Sequence, residues 1–214
     1  MIQVVQYANT SGGPGTAITL AFPSPNQAGN LLLYYVADEG GNQSTTICTD
    51  TAGNTISNAI SADTANERLD YVPVSIAGAN TVSSHTSVST RQVLHIWEIS
   101  GIINAGVLDR TNTGASVTAN ISTAAAIRSP YELVFSAFYD NGAGGNPVLI
   151  PDPAAIAYQQ FGAVSFRTNL TQVKISSTLA IQTMGVTGNG TDSMRMMIAT
   201  FYGQIVMDEG GWMP

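Results

Sequence analysis

Only a few side chains of this sequence have the types and spacing that catalysis needs. The chain has two histidines, His85 and His95, and one cysteine, Cys48, none of them within a recognisable catalytic motif. Serine is abundant, but no Gly-x-Ser-x-Gly sequence is present to expose a nucleophile. We interpret the histidines and the cysteine as structural residues of strands, and we expect no enzyme activity, no catalytic residue and no cofactor.

The carboxylates offer at most a weak cation or sugar site. The sequence Asp-Thr-Ala-Gly-Asn-Thr at 50–55 contains oxygen ligands but lacks the alternating carboxylates of a calcium loop, so we expect a hairpin turn and no metal. The loops that begin at Asp38 and Asp140 are candidates for a cation or sugar, or are simply solvated. Glu98 is the acidic residue expected to be partly buried, as a strand-end carboxylate that accepts backbone hydrogen bonds.

Aromatic rings are a further class of candidate, because amphipathic rings can stack on sugars. Consecutive residues of a strand point to opposite faces, so we expect at most one ring of the Tyr34-Tyr35 pair in the core. The candidates for a sugar-binding face, with packing as the alternative, are Tyr34, Tyr35, Trp97, Tyr139, Tyr158 and Tyr202.

The last residues of the chain are the most specific binding candidates. Met207–Pro214 follow the last predicted strand, and Gly210-Gly211 precede Trp212 and Met213. Large apolar side chains near a terminus are unusual unless they dock on something. We predict that Trp212 and Met213 insert into a neighbouring subunit or partner; docking on their own domain is the alternative.

Composition excludes several classes of function. Charged residues make up 10% of the chain, against about 25% in typical soluble domains. Seven basic and fourteen acidic residues give a net charge of −7, which repels nucleic acid. The longest apolar run, Leu31–Ala37, is far shorter than the ~20 residues of a membrane-spanning helix, and the first residues do not resemble a secretory signal. We therefore expect no nucleic-acid partner, no membrane insertion and no signal peptide.

The elements that must position these residues are short strands. Runs rich in Val, Ile, Thr and aromatic residues alternate with Gly, Asn, Pro and Asp clusters, and no helical period is sustained. At most a helical turn is expected at 124–127 and at 153–158. Strands are predicted at 3–7, 17–22, 30–37, 45–50, 69–76, 81–88, 92–100, 116–121, 132–139, 163–167, 170–180 and 194–206.

We predict that an internal repeat organises these strands; a chance recurrence of strand patterns is the alternative. A shift of 102 residues places Leu31 on Leu133, Asp38 on Asp140 and Gly101 on Gly203. Both Leu31–Ala37 and Leu133–Tyr139 are apolar on two faces, which predicts strands covered on both sides. We predict an all-β fold: a jelly-roll-like antiparallel β-sandwich with two pseudo-equivalent halves offset by 102 residues. It forms one domain, 1–206, followed by a tail at 207–214 that docks on a neighbour.

Three segments in succession resemble a known group of proteins: Gly29–Leu33, Asp50–Thr55 and Ile96–Gly101. A G-N-L-L strand, a D-x-x-G-N-T turn and an E-x-S-G strand end recur in this order in jelly-roll-like β-sandwiches of bacterial surface and bacteriophage proteins. A lone sandwich without a signal peptide resembles a phage virion protein, such as a head decoration (cement) protein or a small tail component. The resemblance implies no catalytic residues.

The functional expectation is structural assembly. The resemblance, and a surface short of long charged side chains, favour a capsid decoration or cement protein of a bacteriophage, made in the host cytoplasm and located in the virion. Its expected partners are copies of itself, for example in a trimer, and the major capsid protein or other virion proteins. The alternative is a carbohydrate-binding β-sandwich module for attachment to cell surfaces.

Overall fold

The computed structural model of the protein describes residues 1–38, 48–61, 67–116, 120–140, 150–161, 168–187 and 194–204. Within these ranges the chain forms strands and no helix, so the all-β prediction is confirmed and the two predicted helical turns are wrong. The strands are β1 (Gln3–Ala21), β2 (Leu31–Asp38), β3 (Thr49–Asp50), β4 (Ser57–Ser61), β5 (Glu67–Val72), β6 (Thr81–Ser100), β7 (Leu108–Ser116), β8 (Asn120–Ser122), β9 (Glu132–Asp140), β10 (Ile150–Pro151), β11 (Ile156–Phe161), β12 (Thr168–Ser176), β13 (Thr183–Thr187) and β14 (Met194–Tyr202).

These strands form two main antiparallel sheets and a small one. Sheet 1 has the order β1-β6-β2-β5-β4, and β3 also pairs with β6. Sheet 2 has the order β11-β12-β9-β14-β7, and the small sheet has the order β10-β13-β8. Sheet 1 is therefore built from the first half of the chain, and the other two sheets from the second half.

This winding differs from the predicted jelly roll. In a jelly roll the chain passes back and forth between the two facing sheets, so each sheet collects strands from the whole domain. Here each main sheet comes from one contiguous half of the chain. An alternating pattern predicts that a segment is a strand but does not specify its partner, and the sequence therefore left the winding undetermined.

The two halves have the same strand order and the same register in their central strands. Leu31 pairs with Ile99 in sheet 1, and Leu133 pairs with Phe201 in sheet 2, with 102 residues between the equivalent positions. The outer strands differ, because Val4 and Leu108 both oppose these pairs although they are 104 residues apart. A single offset thus describes the central strands but not the whole chain.

Both outer strands begin with an irregularity at the same place. In β1 the register shifts between Val4 and Gln6, and in β7 it shifts where Leu108 and Arg110 pair with consecutive residues of β14. Asp109 is the extra residue of the second bulge. A β-bulge changes the direction of a side chain, so the bulge in β7 determines the direction in which the Asp109 side chain points.

The core has several layers. Leu33 and Trp97 of sheet 1 pack against Phe135 and Phe201 of sheet 2 between the facing sheets. The outer face of sheet 1 is covered by arms of β1 and β6 that fold back over it, and the outer face of sheet 2 is covered by the small sheet. Every residue of β2 is buried, which confirms the prediction that this strand is covered on both sides.

Two glycines join the halves at one end of the molecule. Gly101 has a φ of +78°, and a Cβ there would overlap the carbonyl oxygen of Met1. A Cβ at Gly203 would lie 2.6 Å from a backbone oxygen. Ile102 pairs with Gly203, and the amide of Gln204 donates to the carbonyl of Gly101 at 2.6 Å. The segments that follow the last strand of each half are therefore paired with each other.

Candidate functional site

Several predicted site residues lie outside the described residues. This holds for Trp212 and Met213, for the whole tail at 207–214, and for the loops at 39–47 and 141–149. Asp38, which precedes the first loop, is buried, and its carbonyl oxygen accepts a hydrogen bond from Tyr139 Oη at 3.1 Å. This bond joins the ends of β2 and β9, so these two strands run in the same direction in the facing sheets.

The Asp50 carboxylate is enclosed by hydrogen-bond donors from its own half. It accepts from Tyr34 Oη (2.8 Å), from Asn54 Nδ2 (2.7 Å) and N (3.1 Å), and from Asn80 Nδ2 (3.3 Å). Burial alone raises the pKa of Asp50, but the hydrogen bonds from Asn54 and Tyr34 outweigh it and hold the pKa below its usual value. The carboxylate therefore stabilises the turn, and the described residues contain no group of three His, Cys, Asp or Glu side chains placed to hold a metal ion.

This turn is not the hairpin expected from its sequence. β3 pairs with β6 in the layer that covers sheet 1, whereas β4 pairs with β5 at the edge of sheet 1. Residues 51–56 thus carry the chain from one layer to the next, with Gly53 at a φ of +74°.

Glu98 is fully buried and fastens the loop between β1 and β2. It accepts hydrogen bonds from Asn26 Nδ2 (2.9 Å), Gln27 N (2.8 Å), Asn30 Nδ2 (2.6 Å) and Gln6 Nε2. The expected backbone donor is present in Gln27, but the other three donors are side-chain amides and the burial is complete, so the interpretation is confirmed only in part. Because its oxygens are occupied by neutral donors, Glu98 holds a loop in place.

Sheet 2 contains a pair of buried carboxylates that the sequence analysis missed. Asp109 accepts hydrogen bonds from Tyr202 Oη (2.8 Å) and from the backbone amide of Arg128 (2.9 Å), and Arg128 Nε lies 3.3 Å from it. Burial, followed by the negative charge of Asp109, raises the pKa of Glu132. Two such groups can share a proton, but neither side chain is exposed, so a sugar cannot lie between them as glycoside hydrolysis requires.

His95 lies in a polar cluster between the two main sheets. Its Nε2 is 2.6 Å from Asn169 Oδ1, and its Nδ1 is 2.8 Å from Tyr7 Oη and 3.0 Å from Thr171 Oγ1. Burial lowers the pKa of His95 to about 4, although the hydrogen bond to Asn169 favours the protonated ring. The neutral imidazole therefore connects side chains of sheet 1 and sheet 2.

Glu67 lies between the same two sheets. Its Oε1 accepts a hydrogen bond from Tyr35 Oη at 2.6 Å, and its Oε2 has no hydrogen-bond partner among the described residues. Burial raises the pKa of Glu67 to about 8, against the opposing effects of the Tyr35 hydrogen bond and the positive charge of Arg195. A carboxyl group that is protonated near neutral pH is the species that this closed interior favours.

The remaining nucleophile and base candidates do not form a site. The Cys48 thiol is buried, and burial raises its pKa, which makes it a poor nucleophile. His85 is exposed on β6, in the arm that covers sheet 1, whereas His95 is buried between the sheets.

The candidate aromatic side chains that the structure describes do not form a sugar-binding face. Tyr34, Tyr35, Trp97 and Tyr139 are all buried, and the side chain of Tyr158 lies outside the described residues. Tyr34 and Tyr35 point to opposite faces, but both are core residues because β2 is covered on both sides. The expectation that at most one of them belongs to the core is therefore wrong.

A shallow depression of about 370 Å³ lies on the small sheet. Lys174 is close by, since its Nζ donates to the carbonyl of Thr183 at 2.6 Å and lies 3.6 Å from Asp152 Oδ2. The depression is lined by Asn120, Ile150, Pro151, Asp152, Pro153, Thr183, Gly185 and Val186. Its polar groups are of a kind that can hydrogen-bond a small polar ligand.

The outer strands of the main sheets are the other accessible feature. Sheet 1 ends in β1 and β4, and sheet 2 ends in β11 and β7. Within these four edge strands only Asp109 and Arg110 are charged. Natural proteins usually protect exposed edges with Lys and other charged residues, and they also use bulges such as those of β1 and β7. The edges of this protein therefore have the bulges but almost none of the charged side chains.

Comparison of this chain with protein-family models, with curated proteins and with solved structures finds no match. The part of the chain that the structure describes has no helix of the length and apolar character needed to cross a bilayer.

Proposed function

We propose that this protein is a non-enzymatic structural subunit of a bacteriophage virion, a capsid decoration or cement protein that binds copies of itself and the major capsid protein. The observation that carries this proposal is the low charge of the four edge strands, where Asp109 and Arg110 are the only acidic and basic residues. An unpaired edge presents backbone donors and acceptors to any chain that approaches. When a neighbouring chain binds such an edge in this protein, few charged side chains have to lose their hydration.

The buried polar groups support a structural role. Glu98 holds a loop, Asp50 holds a turn, and His95 links the two sheets, so three groups considered for chemistry are occupied in making the molecule rigid. A rigid subunit loses little conformational entropy when it binds, which favours extended contacts with neighbours. The proposal also includes the tail, with Trp212 and Met213 as its anchor on a neighbouring subunit.

Binding to virus particles assembled without this protein tests the proposal. Purified protein should co-sediment with such particles and raise their melting temperature, because a ligand that binds only the assembled state stabilises it. Thr19→Lys in β1 and Thr113→Lys in β7 place a charge at exposed edge positions and should weaken binding, whereas Ser87→Lys, exposed but outside the edge strands, should not. No binding by the wild-type protein would contradict the proposal.

Deletion of residues 208–214 tests the tail separately. If Trp212 and Met213 anchor the subunit, the shortened chain should lose particle binding or change its oligomer size, while its melting temperature stays close to that of the full chain. Unchanged binding and size would show that the tail is not an anchor.

A carbohydrate-binding module is the second candidate, and the depression beside Asp152 and Thr183 favours it. The buried aromatic residues do not, since sugar sites commonly use exposed rings. Binding of glycans in solution, lost in Asp152→Ala and retained in Glu98→Gln, would favour this alternative over assembly.

A further inference from the structure

One end of the molecule is almost uncharged and apolar. The end where β2 and β9 begin is formed by the loops 22–30, 73–80, 101–107, 123–131 and 177–182, which we call the apolar end. Arg128 is the only charged residue in these five loops. Ten large apolar side chains are exposed among the described residues, and six lie in these loops or at strand ends beside them: Met1, Val74, Ile76, Ile175, Leu179 and Ile181.

The loops are held in fixed positions by backbone hydrogen bonds. In the first half, Asn26 and Gly78 bond to each other in both directions, at 2.8 and 3.0 Å. In the second half, the amide of Thr123 donates to Gln182 at 2.8 Å and that of Ile127 donates to Ala180 at 3.2 Å. The exposed Leu179 and Ile181, at 61% and 57%, therefore project from a backbone that is already ordered.

We propose that the apolar end binds the apolar end of a second copy of this chain, giving an end-to-end dimer. The inference rests on the proposed assembly function and deepens it by naming one interface and its partner. Three properties of the apolar end favour a second copy of this chain as its partner: symmetry, charge and size.

The symmetry of the apolar end fits a second copy. The first half contributes the paired loops 22–30 and 73–80, and the second half contributes the equivalent pair 123–131 and 177–182. They flank the junction at Gly101 and Gly203, so the end is roughly two-fold symmetric. A two-fold dimer brings the same patch of both subunits together, and a patch that is itself nearly two-fold presents an apolar loop opposite an apolar loop.

Charge also favours self-association through this end. Each copy carries a net charge of −7, so two copies repel each other over most of their surfaces. In the five loops of the apolar end the single cation, Arg128, is paired with Asp109 of its own chain at 3.3 Å. The described residues of two copies can therefore approach here without bringing unpaired like charges together.

The size of the end is close to what a stable interface needs. Five strands about 4.8 Å apart and four layers about 10 Å apart give it an area of roughly 700 Å². Specific complexes bury about 800 Å² per partner. A contact confined to this end is thus near the usual size.

The test compares oligomer mass among matched variants of the full chain. Light scattering over a wide concentration range should give an even number of chains for the wild type. Leu179→Asp and Ile76→Asp, one in each half, should halve that mass, because each would bury an unpaired carboxylate in an apolar contact. Ile150→Asp, exposed to 58% on the small sheet, is the matched control and should keep the wild-type mass. Equal melting temperatures would show that the variants are folded.

Three results would overturn the inference: a wild-type protein that is monomeric at every concentration, a Leu179→Asp variant of unchanged mass, or an Ile150→Asp variant that dissociates equally. A monomeric wild type whose particle binding is lost in Leu179→Asp would mean that this end binds a different virion protein. Dimers that do not bind particles would leave the inference standing and contradict the proposed virion function, so the two failures are distinguishable.

Discussion

The two halves of the chain share a backbone plan but use different chemistry to fasten its loops. In the first half, Glu98 of β6 accepts hydrogen bonds from amide donors, including Asn30 immediately before β2. In the second half the equivalent positions hold Thr200 and Glu132, so the carboxylate has moved to the neighbouring strand. There it lies beside Asp109, whose charge is balanced by Arg128. Register fixes which positions face each other, and the requirement that buried polar groups be partnered can then be met in more than one way.

The largest effect is expected at Glu98. Glu98→Ala should lower the free energy of unfolding by roughly 3–5 kcal/mol, because it leaves a cavity and four hydrogen-bond donors without their acceptor. The counterpart Thr200→Val removes a single hydroxyl and should cost about 1 kcal/mol. Urea denaturation of both variants measures the difference, and equal losses would contradict the contrast between the halves.

The next effect is the dependence of stability on pH at Glu67, whose counterpart in the second half is the neutral Asn169. The pKa of Glu67 is raised from 4.5 to about 8 by burial, so its contribution to stability is fully present below pH 4.5 and is lost as the pH rises through 8. Glu67→Gln should abolish this loss.

Thermal melts between pH 4.5 and 9 measure the effect at Glu67. Tyr35→Phe is the control, because it removes the hydrogen bond to Glu67 but keeps the titrating carboxyl group, and it should keep the pH dependence. Parallel curves for wild type and Glu67→Gln would contradict the assignment.

A smaller effect is expected at the bulge. Asp109→Val places a valine in the bulge of β7, as Val5 is in the bulge of β1. The variant should lower the free energy of unfolding by about 1–2 kcal/mol, because Tyr202 loses its hydrogen-bond acceptor while the largely exposed Arg128 stays solvated. It should also lower the pKa of Glu132, since a neighbouring negative charge is removed. Carboxyl titration by NMR checks the second point. The reverse change, Val5→Asp at an exposed position, should alter stability little.

The smallest effect concerns His95. Its pKa is lowered to about 4, so the stability it contributes is present above pH 6.5 and is lost as the pH falls through 4. NMR titration should find the His95 ring neutral until the pH falls to about 4. Protonation of His95 near pH 6.5 would contradict its burial between the sheets.

The sequence predicted the central strands well and the edges poorly. β2 and β9 are apolar on both faces, which identified them as covered strands. The edge strands β4, β7 and β11 were missed because half-exposed strands carry polar residues and lack that pattern. β6 is one continuous strand, although two strands were predicted at 81–88 and 92–100. The place where this strand folds back over sheet 1 is not marked by a distinct sequence pattern.

The candidate site was predicted less well than the fold. Glu98 was predicted to be a partly buried carboxylate. The proximity of Asp109 and Glu132 was not predicted, because it depends on a β-bulge that cannot be recognised from the residue types. The apolar end was also missed, because its loops are distant in sequence and only the topology brings them together.

Imaging virus particles with and without this protein by electron cryomicroscopy tests the central claim most directly. The account predicts additional density on the outer surface of the head, fitted by the facing β-sheets, with edge strands or the apolar end in contact with neighbouring subunits. Identical particles in the two preparations, with the protein left in solution as a single chain, would contradict it.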